Sequence, residues 1–271
     1  MLVLVLVLVL VLPGLTIHAA PAEQTLVVCS PGSPGSTDEA QPRMDAFAAA
    51  VSAKASTSLA AVYEPTENGG VTRLKAAGVG LVSLPFFLAH EEELGLHARL
   101  QAVSKERPAL ERWAVVAQKG RVKAVDGLAG FTVVSNVAYA PAFVRGVILG
   151  GFGALPADAK LKQSTAVLSS LRKAADGDAI AVVLDGPGET SLASLPFATK
   201  LEVVTHSPPA PVGLVVTIDA RIPAKTWSAI ERALLGLASS EALGGIQIDR
   251  FAPLDEKALD AARKAFADAS R

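Results

Sequence analysis

The chain has 271 residues, of which 51% are hydrophobic and 19% are charged, enough to bury the core of one large or two medium α/β lobes. Its 25 basic and 26 acidic side chains nearly cancel, which argues against nucleic acid as a partner, because binding to a phosphate backbone needs a basic surface. The single cysteine, Cys29, excludes an intramolecular disulfide.

An apolar leader opens the sequence. Residues 1–12 alternate Leu and Val; this run is short for a spanning helix, which needs about 20 residues, and is typical of the apolar region of a signal peptide. Cleavage after Ala22 would fit the small residues Ala20 and Ala22. We therefore expect residues 1–22 to be a signal peptide that directs export to the periplasm. No basic residue precedes the run, so the alternatives are that the true start lies upstream or that the segment is retained as a membrane anchor.

Strands and helices alternate from residue 24 to about residue 110. The predicted elements are a strand at Gln24–Cys29, a helix capped by Thr37 or Asp38, a strand at 59–63, a turn at 68–70 and a short helix at 71–77. The boundaries rest on apolar periodicity, on side chains that can cap a helix, and on Pro- and Gly-rich breaks.

A strand-to-helix corner follows. Residues 79–84 form an apolar run that stops at Pro85, and Phe86 and Phe87 open a helix at 87–94 that ends at Gly95. In α/β sheets, ligands bind beyond the carboxyl ends of such strands, where the free N–H groups of helix N-termini point outward. The corner is therefore predicted to border a binding cleft.

Two further sets of elements complete the chain. Strands are predicted at 113–118, 131–134, 161–163, 179–184, 201–205 and 212–218, and helices from 138 or 141 to 149 and at 166–175, 189–195, 225–237 and 255–267. The run at 179–184 is apolar on both faces, which is typical of a strand in a parallel sheet. Repeated alternation of strands and helices predicts an α/β fold with a parallel or mixed sheet.

Four segments resemble solute-binding proteins of the phosphate/phosphite/phosphonate ABC-transporter family. They are RLKAAGVGLVSLPFFLAH, VDGLAGFTVVSNVAYAPAF, LRKAADGDAIAVVLD and LEVVTHSPPAPVGLVV. The chain departs from the family at three places: Gly80 stands where the family has Asp, Leu84 stands where the family has the Gly before Pro85, and the family's Ser-x-Ser-Gly phosphate cradle is replaced by Ser135-Asn136-Val137-Ala138-Tyr139.

The resemblance implies a two-lobed, type 2 periplasmic-binding-protein-like α/β fold with mixed sheets flanked by helices. Lobe 1 would comprise residues 24–110 plus 207–271, and lobe 2 residues 111–206. The hinge would lie near residues 110–112 and 206–211, and a ligand would bind in the cleft between the lobes.

The resemblance also places nine candidate ligand-binding residues in loops that face this cleft. They are Ser30, Ser33, Tyr63, Pro85, Phe86, Ser135, Asn136, Tyr139 and Asp185. Hydroxyl and N–H groups at a helix start suit an anion, while Asp185 could accept from an ammonium group. The structural alternatives are a surface loop for Ser30 and Ser33, capping for Ser135, Asn136 and Asp185, and core packing for Tyr63 and Phe86.

No metal site or catalytic set is predicted. His90 precedes Glu91, Glu92 and Glu93, but a glutamate run on a short helix is more typical of a solvated face. The sequence has no CxxC, GxGxxG or Walker motif and no Ser-His-Asp order. No cofactor is expected, and Cys29 is interpreted as a small apolar residue at a strand end.

Together these features predict an exported, monomeric, non-enzymatic protein that closes two lobes over a small ligand. The resemblance implies a phosphonate- or phosphate-like anion as the ligand and an ABC permease in the inner membrane as the partner. The alternative is a degenerate periplasmic sensor or partner-binding domain of the same fold.

Overall fold

The computed structural model describes residues 24–105 and 107–271, so the predicted signal peptide lies outside the described residues. The strands are β1 (Gln24–Cys29), β2 (Leu59–Glu64), β3 (Val79–Ser83), β4 (His97–Ser104), β5 (Ala114–Gln118), β6 (Thr132–Ser135), β7 (Lys160–Gln163), β8 (Ile180–Leu184), β9 (Leu201–His206), β10 (Gly213–Thr217) and β11 (Ile248–Pro253). The helices are α1 (Thr37–Ala55), α2 (Glu67–Leu74), α3 (Leu84–Leu94), α4 (Val167–Ala175), α5 (Gly186–Leu192), α6 (Ala224–Leu235), α7 (Glu241–Gly245) and α8 (Glu256–Ala269), with a π-helix at Phe143–Ile148. Within the described ranges, no helix is both long and apolar enough to cross a bilayer.

Six strands form the first sheet, in the order β11-β4-β10-β3-β1-β2. β1 pairs in parallel with both β2 and β3, whereas β10 and β11 run antiparallel to their neighbours. All six strands come from the two segments expected to form lobe 1. The carboxyl ends of β1, β2 and β3 therefore meet at one edge of this sheet.

Five strands form the second sheet, in the order β7-β6-β8-β5-β9. β6 is parallel to β7 and β8, and β5 is antiparallel to β8 and β9. These strands come from the segment expected to form lobe 2. Two mixed sheets with flanking helices confirm the predicted fold class, while the exact lobe boundaries stay a prediction.

The chain passes between the two sheets twice, and the two passages run side by side. Glu111 and Ala210 pair across them through two backbone hydrogen bonds, each 2.9 Å long. The Glu111 side chain is buried with the residue only 4% exposed, and one oxygen lies 3.7 Å from Arg107. This double crossing is the covalent connection between the lobes.

Helices α1 and α6 cover the outer face of the lobe 1 sheet. Phe47 and Val51 of α1, and Ile230 and Leu234 of α6, are fully buried in one apolar cluster. Burial of one such side chain contributes about 1.5–3 kcal/mol to folding. The apolar stripes of α1 and α6 thus hold both helices on the sheet.

The opposite face of lobe 1 shares its core with lobe 2. Phe87 of α3 belongs to the same buried cluster as Trp113 and Phe143, whose rings meet edge to face at 5.2 Å. Helix α8 packs against the π-helix, because Gly146 has no side chain that would collide with the carbonyl oxygen of Ala265. The apolar core is therefore continuous between the lobes.

Helix α2 corrects one prediction from the sequence. The predicted turn at 68–70 is wrong, because these residues lie in α2. The Thr66 hydroxyl accepts the N–H of Gly69 at 3.2 Å, and this cap offsets the low helix propensity of the two glycines. A side chain on Gly70 would collide with the sulfur of Cys29, so this glycine allows α2 to lie close to β1.

Helices α1, α3 and α5 also begin before their predicted start, α5 at Gly186 rather than at residue 189. The cap of α1 is Ser36, not Thr37 or Asp38: its hydroxyl accepts the N–H of Glu39 at 3.3 Å, and its own N–H donates to the Glu39 carboxylate at 3.0 Å. Helix α3 begins at Leu84 rather than at residue 87, since a proline in the first turn needs no N–H partner.

The sequence also predicts no regular structure between residues 237 and 255, where the structure has α7 and β11. Ile248 and Phe251 of β11 are buried, but two charged residues separate them and Pro253 ends the strand. This breaks the strict alternation that identifies a strand. β11 pairs with β4 at the sheet edge, where a proline is tolerated.

Candidate functional site

A pocket of ≈ 370 Å³ lies where the two lobes meet. The lining residues are Pro31, Gly32, Pro65, Thr66, Glu67 and Asn68 from lobe 1, and Tyr139 and Gln163 from lobe 2. The lobe 1 residues follow the carboxyl ends of β1 and β2, which is the edge where ligands bind in α/β sheets. A larger groove, between α1 and α6, lies on lobe 1 alone and has no such relation to the strand ends.

The lobe 1 wall is stabilised by the Glu64 carboxylate, at the end of β2. The residue is 8% exposed, and its carboxylate accepts the N–H and hydroxyl of Thr66 at 3.1 and 2.7 Å and the Arg73 Nε at 3.1 Å. Burial raises the pKa of Glu64, but these hydrogen bonds together outweigh burial and hold the pKa below its ordinary value of 4.5. The charged carboxylate thus fixes the loop that enters α2.

A second polar network lies beside it. The His90 Nε2 is 2.9 Å from Glu67 and its Nδ1 is 3.3 Å from Glu93, and Lys75 reaches Glu93 at 3.0 Å. The His90 side chain is only 14% exposed, and its ring lies against Phe86 with 4.8 Å between centroids. His90 therefore links α2 to α3 instead of lying on a solvated face, and no group of three or more His, Cys, Asp or Glu residues in the described ranges is arranged to hold a metal ion.

The lobe 2 wall consists of the loop after β6 and of Gln163 at the end of β7. Ser135 is fully buried, and its hydroxyl accepts the N–H of Val137 at 3.2 Å. The Asn136 amide donates to the Gly32 carbonyl at 3.5 Å. The Ser135 hydroxyl thus satisfies a backbone N–H of its own loop, and Asn136 forms a contact between the lobes.

Tyr139 provides the second contact between the walls. Its hydroxyl lies 3.2 Å from the hydroxyl of Ser83 at the end of β3. Burial raises the pKa of the Tyr139 phenol, so it stays protonated at neutral pH. Of the nine predicted ligand-binding residues, Tyr139 is the one whose side chain the structure places in the pocket lining.

The other candidates from lobe 1 do not line the pocket. The Ser30 and Ser33 hydroxyls bond to each other at 2.9 Å. Tyr63 is 8% exposed and packs in the cluster under α1, where its hydroxyl has no partner in the described part of the chain. Pro85 and Phe86 are buried in the first turn of α3.

In lobe 2, Asp185 caps α5 by accepting the N–H of Gly188 at 2.8 Å, and its side chain is exposed. For all nine residues, a role in ligand binding stays a prediction.

Several pocket residues were not predicted. The lining contains Thr66, Glu67 and Asn68, because α2 begins at Glu67 rather than after the glycines. A Thr followed by a Glu often marks the start of a helix, and this pair was the signal in the sequence from which the start of α2 could have been predicted. Gln163 reaches the pocket because it pairs with Ser135 in the parallel register of β6 and β7, which no local pattern reveals.

Cys29 lies behind the lobe 1 wall. The residue is fully buried, and its sulfur is 3.8 Å from the Thr66 carbonyl. Burial, with the nearby carboxylates of Glu64 and Glu67, raises the pKa of the thiol to about 12. The thiolate is the reactive form of cysteine, so Cys29 is unsuited to nucleophilic chemistry.

This arrangement of sheets, crossings and pocket can be compared with known proteins. No protein-family model matches the chain, and no curated protein matches it in sequence. Among solved structures, the chain is similar to the XAC2383 protein from Xanthomonas citri bound to chloride ion, with a TM-score of 0.72 and 14% identity over 91% of this chain and 98% of that chain. The fold is that of the two-lobed periplasmic binding proteins.

Two phosphonate-related neighbours have the same fold. A binding protein component of an ABC phosphonate transporter from Pseudomonas aeruginosa gives a TM-score of 0.63 at 13% identity, covering 91% of this chain and 87% of that chain. PhnD1 from Prochlorococcus marinus, in complex with methylphosphonate, gives 0.64 at 13%, covering 91% and 98%. The resemblance predicted from four segments is thus confirmed at the level of fold, which is all that such low identities establish.

Proposed function

We propose that the protein is an exported solute-binding protein of an ABC transporter. It binds a small ligand between lobes 1 and 2 and delivers it to a membrane permease, without catalysing a reaction. The observation that carries the proposal is the pocket between the lobes, lined by the strand ends of lobe 1 and by Tyr139 and Gln163 of lobe 2. Binding proteins with this fold close around their ligands by hinge motion.

The ligand proposed is a small anion of the phosphonate or phosphate class. Among the described lining residues the charged side chain is Glu67, which is already engaged by His90. An anion would therefore be held by uncharged donors: the side-chain amides of Asn68 and Gln163, the Tyr139 hydroxyl and the N–H groups at the start of α2. Such donors and the helix dipole can hold an anion without a basic side chain.

Closure would take place at the double crossing. Burial raises the pKa of the Glu111 carboxyl, despite the nearby Arg107. Because the folded-state pKa is raised, the contribution of Glu111 to stability is present below its unfolded pKa and is lost as the pH rises through the folded pKa. The proposed hinge at 110–112 and 206–211 therefore contains a carboxyl group whose contribution to the stability of the folded protein is larger at acid pH.

A thermal-shift panel tests the proposal. The purified protein is melted with methylphosphonate, inorganic phosphate, ethanesulfonate and, as a cationic comparison, ethanolamine. A ligand at 100 times its Kd stabilises the folded state by about 2.7 kcal/mol, so an anion of the correct class raises the Tm by several degrees. A shift with ethanolamine alone would contradict the anion assignment, and no shift with any compound would count against solute binding by this pocket.

Matched variants locate the binding site. Asn68→Ala and Gln163→Ala alter the pocket lining, whereas Ser169→Ala alters an exposed residue on α4, outside the lining. We expect both pocket variants to reduce the ligand-induced shift and Ser169→Ala to preserve it. Equal loss in all three variants would place the ligand elsewhere.

One observation favours the alternative, a sensor or partner-binding domain of the same fold. The two walls touch directly through Asn136 with Gly32 and Tyr139 with Ser83, and the apolar core is continuous between the lobes. Small-angle scattering separates the two functions. A transport protein contracts when ligand is added, while a permanently closed domain keeps one radius of gyration.

A further inference from the structure

A second concave site lies on lobe 1, far from the pocket between the lobes. It is a groove of ≈ 660 Å³ between the end of α1 and the length of α6. The lining residues are Lys54, Ala55, Ser56, Thr57, Lys225, Thr226, Ala229, Arg232, Ala233 and Gly236. We call this site the α1–α6 groove.

The groove lies at the opposite edge of the sheet from the pocket. Helix α1 leaves the carboxyl end of β1 and returns the chain to the start of β2, where the N–H of Gln24 bonds to the Ser58 carbonyl at 3.0 Å. Ser56 and Thr57 of the groove immediately precede this contact. A ligand in the α1–α6 groove is therefore separated from the pocket between the lobes by the length of the strands.

The charged side chains that line the groove are all basic. They are Lys54, Lys225 and Arg232, and no lining residue is acidic. All three basic side chains belong to exposed residues, and within the described ranges none of the three forms an ion pair. Arg232 donates through Nε to the Ser228 carbonyl at 3.1 Å, which leaves the outer guanidinium nitrogens for another acceptor.

The shape of the groove suits an elongated ligand. Residues with small side chains recur along one side of α6 and leave the groove open there. They are Ala229, Ala233 and Gly236. Lys225 and Arg232 are seven residues apart in the same helix, or about 10 Å along its axis. An anion with several charged groups spans this distance, so that each cation can contact a separate group. The hydroxyls of Ser56 and Thr226 supply uncharged donors between the cations.

We propose that the α1–α6 groove binds an anion with several phosphate groups. The three cations and two hydroxyls match phosphate oxygens, which accept charge-assisted hydrogen bonds from lysine and arginine. The phosphate groups would belong to a soluble polyphosphate-type compound or to the headgroups of an anionic lipid surface. The site does not depend on the solute-binding function, because it shares no residue with the pocket between the lobes.

Binding is measured with two probes on the purified protein, expressed with its own leader. The soluble probe is tripolyphosphate, followed by calorimetry. The lipid probe is sedimentation with vesicles of phosphatidylglycerol and phosphatidylcholine, compared with vesicles of phosphatidylcholine alone. Binding to either probe supports the groove and identifies the source of the phosphate, and binding to neither overturns the proposal.

A charge-matched pair of triple variants gives the decisive comparison. The groove variant is K54Q/K225Q/R232Q, and the control is K123Q/K160Q/K162Q, which removes three exposed positive charges from lobe 2. We expect the groove variant to weaken binding by at least about tenfold and the control to bind as the parent protein does. Melting curves show that both variants fold. Equal weakening by both would mean attraction to overall charge, and would overturn the site.

Discussion

The two walls of the pocket between the lobes are built differently. The lobe 1 wall is a polar network in which Glu64 and Glu67 are bonded to neighbours on α2 and α3. In the lobe 2 wall, the Ser135 hydroxyl accepts a backbone N–H of its own loop. This loop contacts lobe 1 through Asn136 and Tyr139. The difference indicates that the lobe 1 wall is held by bonds within lobe 1, whereas the lobe 2 wall supplies the hydrogen bonds between the lobes.

The largest expected effect comes from the base of the lobe 1 wall. Phe86 is fully buried and its ring supports His90. We expect Phe86→Ala to lower the free energy of unfolding by about 3–5 kcal/mol, since it creates a cavity under the network. Denaturant unfolding measures this loss. Leu168→Ala, at a residue that is 59% exposed on lobe 2, is the control and should change stability by less than about 0.5 kcal/mol.

A loss below about 1 kcal/mol for Phe86→Ala would mean that the site collapses around the missing ring. The lobe 1 wall would then be no more rigid than the lobe 2 wall, and the contrast between them would fail.

The second effect is pH-dependent. The folded-state pKa of Glu64 is lowered from its ordinary value of 4.5, so its contribution to stability is present above that unfolded value and is lost as the pH falls through the folded-state value. We expect Glu64→Gln to lower stability at pH 7 by about 1–3 kcal/mol, because Gln is a weaker acceptor for Thr66 and Arg73. When unfolding is measured from pH 7 to pH 3, the difference from the parent curve should shrink toward the acid end.

Glu92→Gln is the matched control for this experiment, because Glu92 lies on α3 and is exposed. Its stability curve should follow that of the parent protein across the whole range. A Glu64→Gln variant that stays below the parent by the same amount at every pH would show that the lost contact is not electrostatic.

The third effect concerns the contact where the walls meet. Gly32 has φ +84°, and a side chain there would collide with the Asn136 carbonyl. Gly35, in the same loop, has φ +101°, but no atom lies within 4 Å of the position that a Cβ would occupy there. Both alanine variants carry the strain of a left-handed residue, about 1–2 kcal/mol, but only Gly32→Ala forces the lobes apart. We expect a larger radius of gyration for Gly32→Ala alone, and the same radius for both variants would contradict direct contact.

The local sequence predicted the strands of lobe 1 better than the residues that line the pocket. Gln24–Cys29 has the predicted bounds, because a buried apolar run ended by a Pro- and Gly-rich loop allows few other interpretations. The start of α2 was missed, because the Thr66 cap competes with two glycines that favour a turn. Gln163 depends on the register of β6 against β7, which is decided by packing between distant segments. The sequence therefore indicated the ends of β1, β2 and β6, but it also indicated those of β3 and β8, which do not line the pocket, and it missed that of β7.

The smallest effect isolates the closing hydrogen bond. The hydroxyls of Tyr139 and Ser83 form one hydrogen bond between the lobes, worth about 0.5–1.5 kcal/mol. A double-mutant cycle of Tyr139→Phe and Ser83→Ala measures it, since each variant alone removes the bond and the double variant should lose little more. If lobe 2 only closes the pocket, this coupling should be unchanged by Glu64→Gln. A coupling that disappears with Glu64→Gln would mean that the two walls act as one network, and the distinction between a wall held within lobe 1 and a wall that bonds across the lobes would have to be given up.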